Sequence, residues 1–338
     1  MGVQFGTRIP RKDISFEDLA GKKIAIDFSN AIYQFLASIR QRDGTPLMDS
    51  KGRITSHLMG IFTRTINLLE KGLKPCYVFD GEPPEIKRKT IEERREHKLK
   101  AAEKYHEASE LGLIGEMLKF AKQALHTREE MFEESKQLIL ALGVPVVQAP
   151  SEAEAQAAFM CENDDVYAVG SQDYDSLLFG AKRLVQNLTL SEKRKLPSGG
   201  FVYIKPELIE LQEVLEELNI DHDQLIVMAI LIGTDYNPGG VKGIGPKKAL
   251  ELVRKEKNPE VIFKHLNPDF DWHEIFETFK RIPIKKDYKL EWHDVDEEKV
   301  KKLLVDEHDF SEERVNNILA KLKKAKEQRK QASLSSFF

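Results

Sequence analysis

Seven carboxylate side chains recur beside apolar or helical segments of this 338-residue chain, and oxygen ligands of this kind suit a divalent cation. They are Asp27, Asp80, Glu152, Glu154, Asp173, Asp175 and Asp235. If several of them meet, their mutual repulsion raises their pKa values, and a divalent cation removes that penalty. Oxygen donors without His or Cys favour Mg²⁺ or Mn²⁺ over Zn²⁺. Seven carboxylates exceed what one ion needs and indicate a two-metal site that clamps a phosphodiester.

Individual carboxylates also have structural explanations, which the sequence leaves open. Ser151 and Glu154 form the S-x-x-E pattern of a helix capping box. Glu152 would stabilise the start of the same helix through the helix dipole. The pair Asp173 and Asp175 has the Asp-x-Asp spacing that is common in turns. The recurrence of carboxylates at the ends of predicted elements is what favours one shared site.

The elements that must position these carboxylates alternate between strands and helices. Short β-rich runs predict strands at 23–27, 75–80, 144–148, 166–170 and 183–186, and helical periodicity predicts helices at 29–40, 55–71, 129–142 and 152–161. This alternation is typical of an α/β fold with a mostly parallel sheet and helices on both faces. Ligands bind beyond the carboxyl ends of such strands, where Asp27, Asp80 and Asp173 are expected to lie.

Three segments outside the predicted sheet are locally basic. Residues 82–128 have no strand pattern and predict a helical insertion, in which 87–104 carry eight Lys or Arg against four Glu. Residues 241–249 predict a hairpin between two helices, and 314–330 predict a basic helix. The expected organisation is therefore a core formed by 1–81 and 129–235, an insertion at 82–128, a hairpin and helical region at 236–330, and a tail at 331–338.

Composition excludes several classes of protein. Hydrophobic residues make up 41% of the chain, enough for a sizeable core, and no apolar run approaches the roughly 20 residues of a membrane span. The first residues lack a secretion-signal pattern. Cys76 and Cys161 lie in apolar contexts and are expected to be reduced, which excludes a disulfide scaffold or a zinc module. The net charge of −4 argues against a nucleic-acid binder, but the clustering of cations matters more than their sum.

The ordered motifs resemble those of the structure-specific 5′ nucleases, and most closely those of archaeal flap endonucleases. The matching segments are A-I-D-F-S-N-A-I-Y around Asp27, F-D-G-E-P-P around Asp80, A-P-S-E-A-E-A with Glu152 and Glu154, S-Q-D-Y-D with Asp173 and Asp175, G-T-D-Y with Asp235, and G-I-G at 243–245. Their order and spacing agree with the family along the whole chain. We find no departure at a catalytic position.

The resemblance implies a PIN-like α/β fold, with a mostly parallel sheet flanked by helices, a helical arch at 82–128 and a helix-hairpin-helix-type DNA-binding element. It also implies two Mg²⁺ ions per chain, for which Mn²⁺ could substitute. The first ion would be held by Asp27, Asp80, Glu152 and Glu154, and the second by Asp173, Asp175 and Asp235. Lys87 and Arg94 match the basic pair that faces the scissile phosphate, so these two and Asp173 are the expected catalytic residues.

The same resemblance implies contacts with branched DNA. Tyr33 matches an aromatic residue on which a base stacks near the cut, and Arg40 is an expected DNA contact. The hairpin with Lys242, Gly243 and Gly245 would hold the downstream duplex, since glycines let the backbone approach a phosphate at a helix start. The expected contacts Lys247 and Lys248 add charge there, and the family often binds a K⁺ ion at this element.

The last residues resemble the Q-x-x-L-x-x-F-F motif that binds the sliding clamp, PCNA. In this chain the motif consists of Gln331, Leu334, Phe337 and Phe338. Exposed aromatic residues of this kind need an apolar pocket, which the clamp would supply. We expect the tail to be disordered until it binds, because it follows a basic, polar helix and nothing in the sequence ties it to the core.

The resemblance implies a 5′ flap endonuclease, with 5′–3′ exonuclease activity, that acts in Okazaki fragment maturation and base excision repair. The expected protein is monomeric, without a membrane partner, and cytoplasmic at the nucleoid of an archaeon. Two alternatives remain. A metal-dependent phosphatase would need a second acid after its first strand, where this chain has Asp27-Phe28-Ser29. A non-catalytic DNA-binding adaptor of the clamp would have no need for seven ligand-like carboxylates.

Overall fold

The predicted strands and helices are present, with shifts of a few residues at their ends. The structure is a computed structural model that describes residues 3–6, 9–41, 43–88, 90–97, 100, 104, 129–190, 193–195 and 200–335. Of residues 193–195, 330 and 332–335 it describes the backbone alone. Most of the predicted arch, including 105–128, lies outside the described residues.

A mixed, mostly parallel sheet forms the centre of the fold, as predicted. The strands are β1 (Lys12–Asp13), β2 (Lys23–Asp27), β3 (Lys74–Phe79), β4 (Val146–Gln148), β5 (Ala168–Gly170), β6 (Arg183–Gln186), β7 (Lys193–Lys195), β8 (Phe201–Tyr203) and β9 (Glu207–Glu210). In the described part of the chain, seven of them form one sheet in the order β1-β9-β6-β5-β2-β3-β4, and β7 pairs with β8. The run from β6 to β4 is parallel, whereas β9 and β1 pair antiparallel at one edge.

Helices cover both faces of the sheet. They are α1 (Phe28–Ser38), α2 (Ser56–Glu70), α3 (Glu129–Ala141), α4 (Ala153–Glu162), α5 (Asp175–Leu178), α6 (Leu211–Leu218), α7 (His222–Ile232), α8 (Pro246–Lys255), α9 (Pro259–Leu266), α10 (Trp272–Arg281), α11 (Glu297–Lys301) and α12 (Glu312–Ser335). A 3₁₀ turn spans Glu85–Lys87, and a π-helical turn spans Lys302–Asp306. One core contains α1, α2, α3, α11 and α12, and the other contains α4 to α10.

Alternation along the central strands assigns side chains to the two cores. Ile24 and Ile26 of β2 pack in the core with α1 and α2, while Ala25 between them packs in the other. In β3, Tyr77 and Cys76 divide in the same way. Neighbouring strand residues point to opposite faces, so a strand buried on both faces is almost wholly apolar. This explains why the strands that carry the site are such clear signals in the sequence.

The C-terminal region differs from the prediction. Helix α12 is tied to the core, because Val315, Leu319 and Leu322 are buried and the Arg329 guanidinium donates a 2.7 Å hydrogen bond to the Leu69 carbonyl. The helix also continues to Ser335, so the prediction of a disordered tail from residue 331 is wrong over 331–335. The predicted boundary at residue 330 therefore falls inside a helix.

An extended segment at 282–296 crosses from one helical layer to the other. Its backbone at Lys285 exchanges two hydrogen bonds with the buried Gln156 amide, at 2.7 and 2.8 Å. Further along, Trp292 Nε1 donates to the Pro75 carbonyl at 2.7 Å. The backbone N–H of His293 donates to the Gly143 carbonyl at 2.9 Å. These pairings give a segment without secondary structure a fixed course.

Cys76 and Cys161 are both buried and free, as predicted. Burial raises the pKa of the Cys76 thiol to about 12, so it stays protonated. No helix within the described ranges is long and apolar enough to span a membrane.

Candidate active site

The carboxyl ends of the parallel strands bring the predicted carboxylates to one edge of the sheet. Asp27 ends β2 and is the N-cap of α1, where its side chain accepts from the Asn30 N–H. Asp80 immediately follows β3, and Asp173 follows β5 by three residues. Since β2 pairs in parallel with both β3 and β5, these three chain segments leave the sheet side by side.

The remaining carboxylates come from helix termini around that edge. Glu152 is the N-cap residue of α4, and Glu154 lies in its first turn. The capping-box alternative is wrong, because Glu152 rather than Ser151 occupies the cap and the Ser151 hydroxyl donates to the Glu82 carbonyl. Asp175 begins α5, and Asp235 lies in the turn after α7.

Gly81 allows the two acidic loops after β3 and β4 to touch. Its N–H donates to the Ser151 carbonyl at 2.6 Å, and the next N–H, of Glu82, donates to the Pro150 carbonyl at 3.1 Å. A Cβ at Gly81 would lie 2.4 Å from the carbonyl oxygens of both Ala149 and Pro150, so no larger residue fits. This contact sets the loop of Asp80 against the start of α4, whose Ala153 N–H donates to Asp80 at 2.7 Å.

The carboxylates are close enough to shift each other's ionisation. Burial, together with the charges of Asp80 and Asp173, raises the pKa of Asp27 to about 8. Burial raises the pKa of Asp175 to about 7, helped by Asp235 and Asp173 and opposed by the Val3 N–H.

Glu154 lies close enough to both predicted sets of metal ligands to feel their charges. Burial holds its pKa well above the usual range, and the charges of Asp175, Asp27 and Asp173 act in the same direction. Glu152 in turn feels the charges of Asp80 and Asp235. All seven predicted carboxylates therefore belong to one electrostatic cluster.

Lys87 and Arg94 enter this cluster and neutralise part of it. The Lys87 ammonium lies 2.6 Å from Glu152 and 3.5 Å from Asp235, and Arg94 forms a two-pronged ion pair with Asp235. Although burial opposes the shift, the Glu152 and Asp235 charges raise the pKa of Lys87. Lys87 also lies 6.0 Å from the centre of the Tyr236 ring, within range of a cation–π contact.

The chemistry of the cluster fits a hard divalent cation. Among the described residues, no group of three His, Cys, Asp or Glu side chains is already arranged to hold a metal ion. Glu152 and Asp235 pair with the Lys87 and Arg94 cations instead. Yet Glu152 Oε1 is buried without a hydrogen-bond partner, and burial together with neighbouring carboxylates raises the pKa values of Asp27 and Asp175. All donors are oxygens, which is the set that Mg²⁺ and Mn²⁺ prefer.

The predicted duplex-binding hairpin is well formed. Ile244 is buried and anchors it, while Lys242, Lys247 and Lys248 are exposed. Gly243 has a φ of +80°, and Gly245 is the N-cap of α8, which begins with Pro246. Nothing lies within 4 Å of a Cβ built at either glycine, so the backbone here is open to a large anion.

The other predicted contacts with DNA and with the sliding clamp lie in different surroundings. Tyr33 is half-buried against the core of α1 and α2. Arg40 donates to the Leu36 carbonyl at 3.0 Å and to the Gly44 carbonyl at 2.6 Å, so it also fixes the turn after α1. In the tail, Gln331 is exposed and Leu334 lies within α12, whereas Phe337 and Phe338 lie outside the described residues.

Several residues of the site escaped the sequence analysis. The Asn30 amide donates to Asp173 Oδ2 at 2.9 Å, and the Ser29 hydroxyl donates to Asp80. The Asn237 side chain accepts from Thr234 and thereby shapes the turn that carries Asp235. Asn30 stands one helical turn after Asp27, and this spacing is the feature of the sequence that could have placed Asn30 beside the carboxylates.

Two family models match the chain: the XPG N-terminal domain over residues 7–101 and the XPG I-region over 143–235. Flap endonuclease 1 of Pyrococcus furiosus is 59% identical, over 100% of this chain and 99% of that protein. Flap endonuclease 1 of Staphylothermus marinus is 51% identical, over 100% of both.

Solved structures agree with this match. Flap endonuclease-1 from Methanococcus jannaschii aligns with a TM-score of 0.78 and 48% identity, covering 97% of this chain and 100% of that one. The catalytic core of Rad2 in complex with DNA substrate aligns with a TM-score of 0.69 over 92% of this chain and 96% of its own. At 23% identity, that second likeness supports the fold alone.

Proposed function

Because the chain belongs to the flap endonucleases of the XPG family, it is a structure-specific nuclease acting on DNA, and we propose that its substrate is branched DNA with a 5′ flap. The cut falls at the junction of single strand and duplex. The observation that carries the proposal is the cluster of seven carboxylates into which Lys87 and Arg94 reach.

XPG-type nucleases depend on a metal, and we propose two Mg²⁺ ions for this chain, for which Mn²⁺ can substitute. The ligands of the first are Asp27, Asp80, Glu152 and Glu154, and those of the second are Asp173, Asp175 and Asp235. When bound, such ions lower the pKa of the attacking water and neutralise charge on the scissile phosphate. The buried, unpartnered Oε1 of Glu152 and the raised pKa values of Asp27 and Asp175 support this assignment.

Lys87 and Arg94 exchange partners during the reaction. In the structure they pair with Glu152 and Asp235. With DNA bound, the two cations would turn to the scissile phosphate and stabilise the charge that develops in the transition state. Tyr236 lies beside Lys87 and packs edge-on against Phe279, with 5.2 Å between the ring centres. Its ring thereby supports the Lys87 side chain.

The DNA-binding surface is proposed to extend from the cluster to the hairpin of α8. The exposed Lys242, Lys247 and Lys248 hold phosphates of the downstream duplex, with a K⁺ ion at Gly243 and Gly245. Tyr33 stacks on a base near the cut, Arg40 contacts the DNA, and the arch guides the single strand. Such contacts give affinity without sequence preference, as a structure-specific enzyme requires.

The C-terminal residues are proposed to bind the sliding clamp, PCNA. Gln331 is exposed at the end of α12, close to the terminal Phe337 and Phe338 in the sequence. Because α12 packs on α2, the clamp would hold the enzyme through a rigid helix. We propose that the enzyme is a monomer and lies in the cytoplasm at the nucleoid. It would act in Okazaki fragment maturation and base excision repair, with 5′–3′ exonuclease activity alongside flap cleavage.

The test uses a duplex with a fluorescent 5′ flap, incubated with the full chain in Mg²⁺ and in EDTA. One product from the junction, formed only with Mg²⁺, is the expected result. Single-stranded and blunt duplex DNA of the same sequence serve as control substrates. Binding without cleavage would instead identify an adaptor, and release of phosphate from a 5′-phosphorylated end without chain cleavage would identify a phosphatase.

A matched pair of variants ties the activity to the site. Asp173→Asn should lose cleavage, whereas Asp223→Asn should retain it. Asp223 is an exposed acid on α7 that pairs with Lys280, remote from the cluster. Equal activity in both variants would contradict the assignment of the site.

A further inference from the structure

Asn30 contacts both groups of carboxylates to which the proposed function assigns separate metal ions. Its backbone N–H donates to Asp27 Oδ1 at 3.2 Å. Its side-chain Nδ2 donates to Asp173 Oδ2 at 2.9 Å. Asp27 belongs to the proposed first set of ligands and Asp173 to the second, so one residue touches a ligand of each.

The orientation of the Asn30 amide is fixed by complementary partners. While Nδ2 donates to Asp173, Oδ1 accepts from the Gln172 backbone N–H at 3.2 Å. Only a side chain with a donor and an acceptor at this spacing satisfies both groups. An Asp would repel Asp173, and a Leu would satisfy neither group.

Two other hydrogen bonds hold the backbone of the loop that Asn30 contacts. The Gln172 carbonyl accepts from Gln186 Nε2 at 2.7 Å, and the Asp173 N–H donates to the Ser171 hydroxyl at 3.3 Å. Those contacts fix the backbone of the loop, whereas the Asp173 carboxylate itself accepts from the Asn30 amide. The charge of Asp173 meanwhile raises the pKa of Asp27, so the two carboxylates repel each other. Asn30 therefore keeps together two groups that electrostatics would separate.

We propose that Asn30 is a positioning residue that fixes the second set of metal ligands relative to the first. The inference rests on the proposed two-metal function. Residues that orient metal ligands typically change metal affinity by about 10- to 100-fold when replaced. Loss of the Asn30 side chain should leave the backbone contact with Asp27 in place, so the effect should fall mainly on the second ion.

The test measures Mn²⁺ binding to the full chain without DNA, by calorimetry and by electron paramagnetic resonance. Wild type is expected to bind two ions. Asn30→Leu should keep one site near wild-type affinity and weaken the other by about 10- to 100-fold. Flap cleavage by this variant should then recover at high Mg²⁺, which shows a loss of metal affinity rather than of the fold.

Two matched variants on the same helix serve as controls. Ser38→Ala removes a 2.7 Å side-chain bond to the Gln34 carbonyl at the far end of α1 and should leave both ions bound as in wild type. Ser29→Ala removes a contact with Asp80 and should affect only the first site. Thermal melting without metal checks that each variant is folded.

The outcomes distinguish a failure of the role of Asn30 from a failure of the two-metal proposal. Two wild-type affinities in folded Asn30→Leu, or an equal loss at both sites, would overturn the role of Asn30. If wild type itself binds only one Mn²⁺ ion yet cuts flaps, the two-metal proposal fails and the role of Asn30 fails with it. Both readings are made on the same samples.

Discussion

Binding of a divalent cation to the carboxylate cluster should release protons, because the raised pKa values of Asp27 and Asp175 favour protonated carboxyl groups near neutral pH. The pKa of Asp27 is raised to about 8 and that of Asp175 to about 7. At pH 7 the first is therefore roughly nine-tenths protonated and the second about half. The pKa of Glu154 is also raised, so it adds to this number. A cation needs the ionised carboxylates, so Asp27 and Asp175 alone should release about 1.4 protons at pH 7, and Glu154 adds to that release.

The change of proton release and metal affinity with pH follows from the sign of the pKa shifts. These folded-state pKa values lie above the ordinary carboxylate value, so the groups lose their protons as the pH rises through about 7 and then about 8. Proton release should therefore fall by about one between pH 7 and pH 9. The apparent metal affinity should rise over the same interval, by at most about tenfold per pH unit for each proton.

Calorimetry in pairs of buffers with different ionisation enthalpies counts the released protons. Mn²⁺ is titrated into the full chain at pH 7 and at pH 9. Asp27→Asn should release roughly one proton fewer at pH 7, whereas the remote Asp223→Asn should match wild type. Release near zero at pH 7, or equal release at both pH values, would refute the clustering of these carboxylates.

Four further variants test separate parts of the mechanism. Asp173→Ala should abolish cleavage yet keep flap binding within about tenfold, measured by fluorescence anisotropy, because phosphate contacts supply the affinity; near-wild-type cleavage in Mg²⁺ would contradict the metal assignment. Lys87→Ala and Arg94→Ala should each lower the single-turnover rate by about 100-fold with little change in affinity; weaker binding with an unchanged saturating rate would make them phosphate anchors. Phe337→Ala with Phe338→Ala should abolish stimulation by the sliding clamp and leave cleavage of a free flap unchanged; equal binding of the clamp by wild type and this variant would show that the aromatics pack elsewhere.

The sequence predicted the central sheet and the position of its carboxylates because their signals are local. A strand buried on both faces is a continuous apolar run, so the end of β2 at Asp27 is visible without tertiary information. The capping-box alternative at the start of α4 is wrong for a related reason. The S-x-x-E pattern at Ser151 is local evidence for a capping box, but the Ser151 hydroxyl is drawn away by the Glu82 carbonyl.

Features set by distant partners could not be predicted in this way. The segment at 282–296 has no periodicity, and its course depends on Gln156 and Trp292, which meet backbone groups far away in sequence. Helix α12 is different, since Val315, Leu319 and Leu322 have the spacing of an apolar stripe. That stripe was hidden among many charged residues, and it is why the helix docks on the core.

The most direct test of the two-metal site is a crystal structure of the full chain with Mn²⁺ and an uncleaved flap substrate, examined by anomalous diffraction. The account predicts two anomalous peaks among the seven carboxylates, with Lys87 and Arg94 released from Glu152 and Asp235 and turned to the scissile phosphate. A single peak, or none, with Lys87 still paired to Glu152 beside bound DNA, would contradict it.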